Sequence, residues 1–95
     1  MIRAIILATA IAAPAHAQTQ CANRADVLAQ LADRYGEART GAGLTDSGAL
    51  VEVFASAGGS WSITVTTADQ RMCLVASGQS YEQHDEPPAP LGVPG

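Results

Sequence analysis

Two cysteines, Cys21 and Cys73, lie about 50 residues apart in a chain of 95 residues, and no other feature restricts the fold as much as their pairing. In the loop-closure treatment, tying off about 50 residues removes roughly 4 kcal/mol of entropy from the unfolded chain. A small domain buries a modest share of its surface, and its whole stability is of the same order as that figure. Redox or metal pairs would be expected as Cys-x-x-Cys or as clustered Cys and His. Neither pattern occurs here, so a single disulfide Cys21–Cys73 is expected once the chain reaches an oxidising compartment.

The first residues point to such a compartment. Met1, Ile2 and Arg3 form a short basic start, Ala4 to Ala13 is an uncharged apolar run, and Ala15-His16-Ala17 has the small residues that signal peptidase accepts. A secretory signal peptide over 1–17 is expected, with cleavage after Ala17. About ten apolar residues fall short of the roughly 20 that span a bilayer, so no stable membrane insertion is expected after cleavage. Gln18, Thr19 and Gln20 before Cys21 do not make a lipobox, which leaves the thiol free to pair. A periplasmic or secreted location follows.

The chain contains no lysine and has a net charge of −4. Nucleic-acid binding needs clustered basic charge and a surface helix on a membrane needs Lys or Arg along one face, so both partner classes are disfavoured.

The pattern predicts a helix from Asn23 to Tyr35, with Ala25, Leu28, Leu31, Ala32 and Tyr35 along one face. Asn23 suits the N-cap and Gly36 the C-cap. Thr40 to Gly48 reads as a loop in which Leu44 is the core plug. The period then changes from 3.6 to 2. Ala49–Ser56, Ser60–Thr67 and Arg71–Ser77 are rich in Val, Ile, Thr, Phe and Trp and read as three strands of an antiparallel meander. The expected fold class is α+β: one N-terminal helix packed on a three-stranded antiparallel β-meander with a single disulfide. This domain would occupy 18–80 and be followed by a Pro-rich tail over 81–95, where Pro87, Pro88, Pro90 and Pro94 oppose regular structure.

Trp61, Ile63 and Val65 alternate with Ser60, Ser62, Thr64 and Thr66, which assigns the first set to the core. A two-residue Gly58-Gly59 turn would pair Phe54 with Ile63 and Glu52 with Val65, adding Leu50 and Phe54 to that face. If the disulfide forms and the helix, whose start holds Cys21, covers the Trp61 face, then Cys73 points there too. The second hairpin then needs a three-residue loop, Ala68-Asp69-Gln70, with Gln70 in the left-handed region. Val51, Val53, Met72 and Leu74 would then form an apolar outer face, a candidate interaction surface.

Candidates for chemistry are few. His84 lies among Gln83, Asp85 and Glu86 in the tail, a spacing that a hydrophilic tail explains without a metal, and neither a metal nor another cofactor is expected. With Cys73 oxidised, no nucleophile, base and acid can be assembled into a triad. Glu52 is a possible polar site, because a carboxylate on an apolar face can work as acid or base. The competing reading is a structural ion pair with Arg39 or Arg71.

The succession Cys21, the helix ending Arg34-Tyr35-Gly36-Glu37, Gly43-Leu44, Val51-Glu52-Val53-Phe54-Ala55-Ser56, Trp61-Ser62-Ile63-Thr64-Val65-Thr66 and Cys73-Leu74-Val75-Ala76-Ser77-Gly78 resembles a group of small exported bacterial proteins of uncharacterised function. Those proteins commonly have Pro-Asp-Gly where this chain has Ala68-Asp69-Gln70. The resemblance implies export and fold but no activity.

Two functional expectations follow. The first is a non-enzymatic module that binds or modulates an envelope protein, or that self-associates. The alternative is a small-ligand binder or minor enzyme using Glu52.

Overall fold

A computed structural model describes residues 20–89 and Gly92, so the expected signal segment 1–17 lies outside the described residues. The chain runs β1 (Gln20–Asn23), α1 (Arg24–Tyr35), β2 (Ala38–Leu44), β3 (Leu50–Ala55), β4 (Trp61–Thr66) and β5 (Arg71–Gly78). The strands form one antiparallel sheet in the order β1-β5-β4-β3-β2. The three-stranded meander expected from the sequence is therefore corrected to a five-stranded sheet carrying one helix. The extra strands are the two edges.

Strand β1 pairs with β5 and places Cys21 directly opposite Cys73. Strand β2, expected as a loop, pairs with β3 through a bulge between Arg39 and Gly41. Because β1 and β2 lie on opposite edges, α1 must cross the whole sheet. Four inter-strand spacings amount to about 19 Å, and 12 helical residues rise about 18 Å. The helix is as long as the sheet is wide.

Helix α1 begins where Asn23 Oδ1 accepts from the Ala25 amide and ends where Gly36 turns left-handed at φ 64°. The Gly36 and Glu37 amides donate to the Ala32 and Leu31 carbonyls, so two terminal carbonyls of the helix are satisfied. The Arg24 amide donates to Gln70 O, fastening the helix start to the β4–β5 turn. Leu31 packs with Phe54 and Met72, joined by Val27 and Leu28. The buried stripe is thus rotated towards Val27 relative to the expected one, and Tyr35 is exposed. Leu44, the expected core plug, is 73% exposed at the end of the edge strand.

The face covered by the helix is not the one predicted. The β3–β4 turn has three residues, closed by Ser56 N donating to Ser60 O and by Gly59 N donating to Ser56 O, with Gly59 at φ 103°. Phe54 therefore opposes Ser62, Glu52 opposes Thr64, and Val53 opposes Ile63. One residue of slip turns every side chain over. Ser62, Thr64 and Thr66 are buried beneath the helix with Phe54 and Met72, while Trp61, Ile63 and Val65 lie on the opposite face and are half-buried.

The second hairpin has the expected three-residue loop, with Gln70 at φ 67° and Thr67 N donating to Arg71 O. Asp69 organises this loop: its carboxyl, exposed to solvent, is held below its ordinary pKa first by the Thr67 hydroxyl and then by the Arg71 amide. Cys73 does point to the Trp61 face, but the helix does not pack there. Cys21 precedes the helix within β1, so the disulfide joins neighbouring strands and leaves the helix free to cover the other side.

Beyond β5 the chain turns at Ser80 (φ 63°). The Tyr81 amide then donates to Gly59 O, and its phenol lies 3.1 Å from the Thr40 hydroxyl. Trp61 Nε1 donates to Gln79 O. The start of the tail is thus tied across the end of the sheet from β5 towards β2. No described helix is long and apolar enough to cross a membrane.

Candidate functional site

The structure offers three places to weigh: a buried carboxylate, an uncovered sheet face and a cleft beside the helix.

The carboxylate is Glu52, which is 0% exposed at the centre of β3. Its Oε2 accepts from Arg24 Nη2 at 2.6 Å and from Arg39 Nη1 at 3.0 Å. Arg24 opens the helix and Arg39 lies in the edge strand β2, so one carboxylate oxygen ties three elements together. Of the two arginines expected as partners, Arg39 is present and Arg71 is not. Arg24 was missed because its side chain reaches Glu52 only once the helix crosses the sheet. Glu52 Oε1, Thr64 Oγ1 and Thr66 Oγ1 are buried on the same face without a hydrogen-bond partner among the described residues. With no accessible surface and two guanidinium partners, Glu52 is placed as a structural clamp, out of reach of a substrate.

The residues expected as one apolar interaction surface are divided between two faces. Met72 is 0% exposed in the helix-covered core, and Leu74 opposes Thr64 on that same side. Val51 and Val53 lie on the other side, opposite Val65 and Ile63. The uncovered face therefore includes Val51, Val53, Trp61, Ile63 and Val65, with Ala55 opposite Trp61 and Ala76 opposite Ile63, and is bordered by the Cys21–Cys73 disulfide at β1 and β5. Towards β2 it meets Gly41 and Gly43, which add no side chain to it.

The cleft lies between α1 and the β4–β5 side of the sheet. Two adjoining hollows of about 170 and 200 Å³ share Leu31, Tyr35 and Leu74. The smaller one reaches Glu37, Ser62 and Ser77. Glu37 is 6% exposed, and its Oε1 is buried without a hydrogen-bond partner among the described residues. Glu37 is not among the residues singled out from the sequence. The signal available was Gly36, since a left-handed helix end turns the next side chain back towards the core.

His84 stands on the exposed tail, 3.1 Å from Glu82 Oε1 and 3.6 Å from Glu86 Oε1. Among the described residues, no group of three or more His, Cys, Asp or Glu is arranged to hold a metal ion. Comparisons with family models, with curated proteins and with solved structures give no match to this chain. The functional reading therefore rests on the site itself.

Proposed function

We propose that this chain is an exported, non-enzymatic binding module that meets an envelope protein through its uncovered apolar sheet face. One observation carries the reading. Along β4 the hydroxyl-bearing residues Ser62, Thr64 and Thr66 are buried, while Trp61, Ile63 and Val65 on the other face keep part of their surface open to solvent. A sheet that met only water on that side would be expected to alternate the other way, and strands apolar on a second face normally have both faces covered. Contiguous exposed apolar surface marks a place of association.

A foreign partner is favoured over a second copy by size. Five strands of about six residues span roughly 24 by 20 Å, or about 500 Å², whereas a standard interface buries about 800 Å² on each side. Stacking two such faces falls short, while a partner that also grips the rim does not. The net charge of −4 favours a partner with a basic border. The disulfide supports export, because such bonds persist in oxidising compartments, as does the signal-like start of the chain.

The test compares capture from an envelope extract by the oxidised wild type, by Val53→Asp with Ile63→Asp, and by the control Arg34→Ala on the exposed side of the helix. The expected result is one partner retained by wild type and control and lost by the double variant. Equal capture by all three overturns the assignment. So does a dimer, seen by light scattering, that the double variant dissociates. For export, intact mass should show a chain beginning at Gln18 without free thiols; residues 1–17 still attached would overturn it.

A further inference from the structure

We infer that the cleft beside α1 binds a primary ammonium group carried on a short alkyl stem, with Glu37 as the anionic anchor. The inference does not rest on the proposed contact face, which lies on the other side of the sheet and shares only Trp61 with the cleft.

A buried carboxylate oxygen without a partner is a costly feature that proteins normally satisfy. Glu37 has one, and none of the ion pairs among the described residues includes it: Arg24 and Arg39 both go to Glu52, neither Arg34 nor Arg71 pairs with Glu37, and the chain contains no lysine. The missing positive group would therefore come from outside. The hydroxyl-bearing residues Ser62 and Ser77 line the same hollow as Glu37. An ammonium group has three donors and no acceptor, which suits one carboxylate and neighbouring hydroxyl oxygens.

Shape supplies the rest. Away from Glu37 the groove is bordered by Leu31, Tyr35 and Leu74 and continues into the second hollow along the helix. A volume of about 170 Å³ corresponds to roughly five or six water-sized groups at ~30 Å³ each. That admits a four-carbon amine. The alkyl stem would lie on the leucines with its charged end at Glu37. A free alkylamine and a lysine side chain of another protein present the same chemistry.

The test is an NMR titration of the oxidised, full-length ¹⁵N-labelled chain with n-butylammonium chloride, with n-butanol as the uncharged probe and a blocked lysine peptide as the third. Saturable shifts are expected at the Glu37, Ser62 and Ser77 amides with the amine and none with the alcohol. Glu37→Gln should weaken binding at least about tenfold, as expected for loss of a charge-assisted hydrogen bond. Tighter binding of the peptide would identify a protein lysine as the source, and tighter binding of the amine a free ligand; both support the inference. Failure of the amine to saturate, equal shifts with the alcohol, or unchanged binding by a folded Glu37→Gln chain would overturn it. The comparison of amine with alcohol uses wild type alone and remains decisive if the variant does not fold.

Discussion

Replacing Glu52 by Gln should destabilise the protein more than any other single change to its charged side chains. In the folded chain Glu52 is 0% exposed and receives two guanidinium hydrogen bonds on one oxygen, from Arg24 at 23% and Arg39 at 55% side-chain exposure. Removing one partner of a buried ion pair costs about 3–5 kcal/mol, because the remaining charge is stranded. Here Arg39 is more than half exposed and can turn to water, so its share falls towards the value of a surface pair, about 0–1 kcal/mol. Arg24 is mostly buried and keeps most of the penalty. The Gln amide group also introduces a donor where the site offers guanidinium groups. The expected loss is about 2–3 kcal/mol, with Arg24→Ala costing more than Arg39→Ala. Urea unfolding of the oxidised chains measures this, with an unchanged slope showing that the same two states are compared. A loss below about 0.5 kcal/mol, within the range of an ordinary surface substitution, would refute the clamp.

Other substitutions test the remaining parts of the structure. Thr64→Val should stabilise the chain by about 1 kcal/mol, because it removes a buried hydroxyl without a partner and keeps the β-branched shape; destabilisation in thermal unfolding would contradict that burial. Replacing Cys21 and Cys73 together by Ser should cost roughly 4 kcal/mol by the loop-closure estimate, and an unchanged denaturation midpoint would show that the bond does not constrain the unfolded chain. Gln70→Gly should gain about 0.5–1 kcal/mol by relieving a left-handed residue at φ 67°, whereas a loss would place the strain elsewhere.

The parts of this fold that were legible in the sequence are those specified locally. Asn23 and Gly36 bound the helix through cap chemistry that needs no tertiary context. Strands β3, β4 and β5 lie within a residue or two of the expected runs, because β-branched and aromatic residues concentrate there. The Ala68–Gln70 loop was placed correctly on a premise that does not hold, namely that the helix shares the disulfide's face.

The edge strands were hidden for different reasons. In β2, Ala38 to Leu44 is mostly exposed and contains two glycines, so it has no apolar alternation to read. In β1, four residues are held by pairing to a strand about 50 positions away, which is non-local information. The error over faces came from Ala57-Gly58-Gly59, which is compatible with both a two-residue and a three-residue turn. Hydrophobicity then selected the wrong alternative, since this chain buries threonines and leaves valines at the surface. Glu37 went unread because its burial depends on how the helix end meets β4 and β5.

The register, the clamp and the uncovered face all depend on which side of β4 faces the helix, and methyl NOEs in the oxidised protein test this directly. Cross-peaks from the Leu31 methyls to the Phe54 ring, the Met72 methyl and the Thr64 methyl are expected, with none to Ile63 or Val65. Strong Leu31 contacts with Ile63 and Val65, and none with Met72, would contradict the register, the clamp and the uncovered face together.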